Sequence, residues 1–289
     1  MSASTLRAAG MVTLVVAALL GSAFALGRSL MPEDPPRGNG VAASVRAPHY
    51  GDQPPSTEFP GPPGGGYGEP SPTASPSSPN PSRRAGDSEG PYGAEVSTGS
   101  ARIALTFDDG PDPQWTPQVL ALLKEYGVRA TFCVVGENAD AHPDLVRSIV
   151  ADGHTLCNHS WNHDITLGER SPEAIRDDLS RTNDAILAAA PDARIAYFRQ
   201  PGGAWTRPVV SVSEELGMTP LHWAVDPTDW QAPGAARIAE VVLAETRPGS
   251  IVLMHDAGGD RSGTVEALQH LLPELLQRFQ LEALPTGTT

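Results

Sequence analysis

Ile103-Ala104-Leu105-Thr106-Phe107-Asp108-Asp109-Gly110-Pro111 is an apolar run that ends in two adjacent carboxylates and a Gly-Pro turn. An apolar run bounded by turn residues has the pattern of a strand buried in an α/β sheet, which predicts a strand over 103–107. Asp108 and Asp109 then stand at its carboxyl end. In α/β folds that end collects catalytic groups, because loops there vary without disturbing the packed sheet. Asp-Asp-Gly-Pro is also ordinary turn chemistry, with Asp bonding nearby backbone and Gly taking positive φ. Residues 106–111 by themselves leave both readings open.

Outward from this strand, strand and helix signals alternate from Ala101 onward. Thr116 is the expected cap of a helix with Pro117 at its first position and Gly127 just past its end. A second strand is expected over 130–135, a helix from His142-Pro143 to about Asp152, and a third strand over 154–157. Ser171-Pro172 opens a long amphipathic helix carrying Ile175, Leu179, Ile186 and Leu187 at helical spacing. Strands follow over 196–198, 220–225 and 251–254, with helices over 207–216 and 235–246. The last helix starts near Thr264, and Pro273 is expected to kink or restart it. This order implies a parallel sheet with outer helices, as an open sheet or a barrel.

Upstream the composition changes. Residues 8–27 are almost wholly apolar, with Arg7 and the amino terminus as the only positive charges before them. That is the pattern of a signal peptide or an amino-terminal membrane anchor over 1–27, and Ala23-Phe24-Ala25 offers a small-x-small cleavage site. Residues 28–98 are rich in Pro, Gly and Ser and have few residues that could build a core, so a disordered, solvated linker is expected there. The protein is thus expected to be exported, secreted or anchored to the outer face of the cell membrane, and able to reach a cell wall.

The chain of 289 residues carries a net charge of −14, which argues against nucleic acid as a partner. It also makes a strongly anionic polymer an awkward one. The two cysteines, Cys133 and Cys157, fall in predicted neighbouring strands. In an exported protein an even count suggests a disulfide, with two buried thiols as the alternative. They are too few for a zinc-thiolate site.

His159-Ser160-Trp161-Asn162-His163 places two imidazoles four residues apart, just after the third strand. On a helix that spacing would put both rings on one face, where they could share a cation. Two His and one carboxylate form a three-ligand site that leaves a position open for water.

Residues 106–111 and the His-Ser-x-x-His segment resemble the first two motifs of the polysaccharide deacetylases of carbohydrate esterase family 4, the NodB-homology domain. The resemblance extends in order to Arg199-Gln200-Pro201-Gly202-Gly203, Asp226-Pro227-Thr228-Asp229-Trp230 and Leu253-Met254-His255-Asp256. It implies a catalytic domain over 99–289, folded as a distorted or partly open (β/α) barrel. The short segment Leu281 to Leu284 leaves little for a closing strand.

The same resemblance implies a hydrolase of carbon–nitrogen bonds other than peptide bonds. Asp109, His159 and His163 would hold a divalent metal, Zn2+ or another such as Co2+, which lowers the pKa of water and polarises the acetyl carbonyl. Asp108 would be the base, paired with Arg199. The backbone N–H of Gly202 would bind the oxyanion. His255, aimed and charged by Asp229, would protonate the leaving nitrogen. Trp230 and Leu253 would line the acetyl pocket.

The substrate is expected to be an acetylated polysaccharide, first peptidoglycan or chitin oligomers and then acetylxylan, and the protein a monomer. A carbohydrate-binding wall protein without turnover is the rival from another class. The family often carries an aromatic residue where this chain has Gly202, which bears on groove shape. Core packing is the default for Trp115, Trp161, Trp205 and Trp223; Trp205, in the loop after the third motif, is the best placed to meet a sugar.

Overall fold

The computed structural model describes residues 89–286. The apolar segment 1–27 and the linker as far as residue 88 lie outside the described residues. Six strands form one sheet: β1 (Ala104–Asp108), β2 (Thr131–Val134), β3 (Thr155–Asn158), β4 (Tyr197–Phe198), β5 (Thr219–Pro220) and β6 (Ile251–His255). Their order is β5-β4-β3-β2-β1-β6, and every pairing is parallel. The helices are α1 (Thr116–Glu125), α2 (Gly136–Ala141), α3 (Pro143–Ala151), α4 (Pro172–Ala189), α5 (Arg207–Glu215), α6 (Ala235–Glu245) and α7 (Ser262–Arg278).

The sheet curls into a half-barrel. Thr219–Pro220 pairs with β4 at one edge, whereas Val225 bridges to Val252 at the other. The strand expected over 220–225 is therefore split between the two edges, and the barrel stays partly open. On the outer face Leu105, Phe107, Phe132 and Leu156 pack with the helices in the main core. The inner face is smaller, with Ala104, Cys133, Cys157, Tyr197 and Ile251 closed at the bottom by Leu284. The carboxy-terminal segment reaches that position through one bridge, Ile103 to Leu281, and through Leu284 N donating to Thr131 Oγ1 at 3.0 Å.

Two opposite-face periods therefore run through each strand, and register decides what meets what. Asp108 is the register partner of His255 on one side and of Cys133 on the other, and Cys133 is the partner of Cys157. A single row crossing four strands on the inner face thus reads His255, Asp108, Cys133, Cys157. A disulfide joins the two cysteines, whose Cα atoms are 4.1 Å apart.

Three local expectations shift. Residues 90–98, expected in the linker, are part of the described fold. Glu95 N donates to Pro220 O at 2.8 Å, His222 N donates to Glu95 O at 2.7 Å, and Ala94 is buried. This segment covers the free edge of β5, whose backbone groups would otherwise lack partners. α7 continues through Pro273, because Leu271, Leu272 and Leu275 are all buried in the main core on either side of it. Thr116 is the first residue of α1 and not its cap; Asp112 Oδ1 instead accepts from the N–H groups of Gln114 (2.7 Å) and Trp115 (2.9 Å).

Candidate active site

The site lies at the carboxyl ends of the strands. Along a regular strand Asp108 and Asp109 would point to opposite faces. Asp108 is the last residue of β1, and Asp109 takes φ 75°, a left-handed conformation that Asp tolerates better than most residues. That turn brings both carboxylates to the same opening, where Asp108 is 2% and Asp109 3% exposed. Asn138 Nδ2, on α2, donates to Asp109 O at 2.7 Å and fixes the turn from behind.

The His159–His163 segment is a loop, not the helix that would have aligned the pair. Ser160 (φ 64°) and His163 (φ 55°) are left-handed, and the chain folds back so that the two rings stand 5.1 Å apart. His159 Nδ1 donates to Arg199 O at 2.7 Å, the tautomer that leaves the Nε2 lone pair facing the carboxylates. Nε2 then lies 3.5 Å from Asp109 Oδ1 and 3.5 Å from Asp108 Oδ2, while His163 Nε2 lies 3.3 Å from Asp109 Oδ1. One donor atom from each of Asp109, His159 and His163 falls within 4.8 Å of the others, a span that suits one cation.

Electrostatics favour positive charge at this point. Burial works against ionised Asp109, but hydrogen bonding from His159 and the nearby His163 and His255 hold its pKa well below the usual carboxylate range. Burial pushes His159 down, yet Asp108 and Asp109 outweigh it and the ring ends above its ordinary value. The donor set of two imidazoles and one carboxylate fits a divalent metal of the zinc type, which would replace that proton.

Arg199, immediately after β4, is fully buried beneath Asp108. Its Nη1 donates to Asp108 Oδ1 at 2.7 Å and to Thr106 Oγ1 at 2.9 Å; Nε donates to Leu221 O at 3.3 Å and Nη2 to His222 O at 3.0 Å. Few guanidinium protons are left over, so the charge is buried but satisfied. On the other side, His255 Nδ1 donates to Asp229 Oδ1 at 2.7 Å, and His255 N donates to Asp229 Oδ2 at 2.9 Å. Burial lowers the His255 pKa, but Asp229 more than reverses this, with smaller help from Asp109 and Asp108, and the imidazole is pushed up to about 9.

The structure therefore gathers Asp108, Asp109, His159, His163, Arg199, Asp229 and His255 at one opening. Gly202 is exposed at φ 61° in the turn Pro201–Gly203 that follows Arg199. Trp230 is exposed beside Asp229, and Leu253 is buried on the same strand face as His255. Asp226 braces its own loop, with Oδ1 accepting from Thr228 N at 2.7 Å. Trp205 is not placed to meet a sugar: it is buried against Phe198, and its Nε1 donates to His222 Nδ1 at 3.1 Å.

Four residues were not foreseen. Thr106 donates to Val252 O at 2.8 Å while accepting from Arg199. Thr264 Oγ1 donates to Asp229 Oδ2 at 2.7 Å, and buried Arg261 donates to Asp229 O at 2.8 Å and Ala257 O at 2.7 Å. Asp256 is fully buried, accepts from Thr116 Oγ1 at 2.5 Å, and is pushed up to about 7 by burial and, less strongly, by Asp109 and Asp108. Only the adjacency of Asp256 to His255 and the placement of Thr106 two residues before Asp108, on the same strand face, were signals in the sequence.

A curled parallel half-barrel with an Asp-His-His cluster between a buried Arg–Asp pair and a His–Asp pair defines the class of polysaccharide deacetylases. The polysaccharide deacetylase family model matches residues 95–221. A chitooligosaccharide deacetylase from Rhizobium leguminosarum bv. trifolii is 42% identical over 216 residues, covering 70% of this chain and 99% of that protein. The crystal structure of the Bc1960 peptidoglycan N-acetylglucosamine deacetylase aligns with TM-score 0.62 and 34% identity, covering 65% of this chain and 87% of that one. A carbohydrate esterase family 4 pseudoenzyme from Bacillus anthracis aligns with TM-score 0.59 and 29% identity, over 64% of each chain. The chain belongs to the polysaccharide deacetylase family, carbohydrate esterase family 4, whose enzymes are hydrolases of carbon–nitrogen bonds other than peptide bonds.

Proposed function

We propose that the protein is a metal-dependent N-deacetylase of N-acetylglucosamine polymers, peptidoglycan or chitin oligomers, acting outside the cytoplasm. One observation carries this: the carboxyl group of Asp108, paired with Arg199, and the imidazole of His255, paired with Asp229, stand on neighbouring strands as register partners beside the Asp109-His159-His163 cluster. A divalent ion held by those three residues, Zn2+ or Co2+ among the candidates, would polarise the acetyl carbonyl and acidify water.

The chain's own groups do the rest. Asp108, oriented by Arg199, accepts a proton from the attacking water as its oxygen bonds to the acetyl carbon. The Gly202 N–H is the candidate donor to the carbonyl oxygen as negative charge grows there. His255 gives its proton to the nitrogen as the C–N bond breaks, and Asp229 steadies the ring throughout. Acetate and a free amine leave. Trp230 and Leu253 flank the place for the acetyl methyl, and the segment before residue 89 would export the enzyme and hold or release it at the cell surface.

A non-catalytic role is the second reading, because a family pseudoenzyme shares the fold. Here the acid, base and cluster are all present, and a binder has no need of all three. Acetate release from chito-oligomers, peptidoglycan and acetylxylan, measured before and after chelation and metal restoration, tests the function. Release from the N-acetylated substrates that chelation abolishes and metal restores is expected. No release from any substrate by metal-loaded protein would refute turnover, and release only from acetylxylan would refute the N-acetyl assignment.

A further inference from the structure

Asp256 touches the loop after β1 from several directions. Its Oδ2 accepts from Thr116 Oγ1 at 2.5 Å, and that hydroxyl itself accepts from Asp112 N at 2.7 Å. Its backbone N donates to Asp108 O at 3.1 Å. Gly110 lies so close that a Cβ there would come within 2.5 Å of both Asp256 carboxylate oxygens. These contacts reach residues 108, 110, 112 and 116, on both sides of Asp109. The side chain is fully buried, and Oδ1 has no hydrogen-bond partner among the described residues. A buried carboxyl group with one oxygen unmatched costs stability, so fold strength alone is a poor reason for its presence.

We propose that Asp256 is a positioning residue: its carboxyl group, clamped by Thr116 and pressed against Gly110, sets the turn that aims Asp109 at His159 and His163 and so fixes cation affinity. This rests on the proposal that those three residues hold a cation. Glycine is required at 110 because the carboxyl group occupies the space of a side chain. Thr116, the first residue of α1, turns its hydroxyl to the same network. Groups that orient metal ligands without touching the metal typically change affinity about 10–100-fold when removed.

The test is a Zn2+ titration in competition with a chromophoric chelator, on the whole chain, with circular dichroism and melting temperature recorded for each variant. Asp256→Asn keeps the shape and an acceptor for Thr116, and should bind Zn2+ within about threefold of wild type. Asp256→Ala and Thr116→Val should each weaken binding about 10-fold or more with the fold intact. Gly110→Ala should weaken it similarly alone, yet add little to Asp256→Ala, because the atoms it collides with are gone. Thr116→Val and Gly110→Ala, each alone, keep the test decisive if Asp256→Ala does not fold. Variants that melt lower but bind Zn2+ like wild type would overturn the positioning role and leave the function standing, as would additive effects in the cycle. A wild-type protein that binds no Zn2+ would overturn both.

Discussion

Replacing Asp229 by Asn should move the alkaline limb of the pH–rate profile. In the folded protein His255 is buried, which disfavours its charged form, yet Asp229 holds it protonated up to about 9 against an ordinary 6.5. That difference is a preference for the imidazolium on the order of 3 kcal/mol. The amide introduced by Asp229→Asn would keep one acceptor for Nδ1–H but not the charge. Only Asp109 and Asp108 would then oppose burial, and a cation in the triad would offset Asp109. His255 should therefore return to 6.5 or below. At pH 8 the protonated fraction would fall from nearly all to about 3%, a loss of about 30-fold in kcat.

The sign for stability follows from the same shift. A raised His pKa contributes stability that is complete below pH 6.5 and is lost as pH rises through about 9. The melting temperature of the wild type should decline across that window, and that of Asp229→Asn should decline less. The assay is acetate release from a chito-oligomer between pH 5 and 10, paired with melting curves. An Asp229→Asn enzyme that stays folded and keeps an alkaline limb near pH 9 would refute the acid role assigned to His255.

Arg199→Met should destabilise the domain by about 3–5 kcal/mol, because it strips a buried carboxylate of its guanidinium partner, and Arg199→Lys should not rescue it since an ammonium cannot span the four acceptors; urea unfolding of both variants checks this. Cys133→Ser/Cys157→Ser removes a link between residues 24 apart, and should lower stability by about 3 kcal/mol on loop-closure grounds while leaving the kcat of the folded enzyme near wild type. Trp205→Phe should lower the melting temperature, through the lost donor to His222, without changing KM for glycan; a raised KM would return Trp205 to the substrate groove.

The parts of the site legible in the sequence are those where one residue's position fixes its role. Asp108 and Asp109 end a strand whose apolar run is plain, and the motifs at 199, 229 and 255 sit where later strands or their loops deliver them. The less legible parts depend on partners distant in the chain. Thr116 looks like a helix cap until Asp256, 140 residues away, claims its hydroxyl. Arg261 and Thr264 are ordinary polar residues until Asp229 comes within reach. The His pair has helical spacing, but two left-handed residues fold it into a loop, which periodicity cannot reveal. The segment at 90–98 joins the fold through backbone bonding to a sheet edge, which leaves almost no trace in side-chain pattern.

The division of labour between the two aspartates is tested most directly by titrating Zn2+ into Asp108→Asn and Asp109→Ala and assaying the same samples for acetate release. Asp108→Asn should bind the ion with an affinity close to wild type and release almost no acetate, whereas Asp109→Ala should lose the ion and the activity together. Asp108→Asn protein that turns over like wild type, or Asp109→Ala protein that still holds Zn2+ tightly, would contradict the assignment.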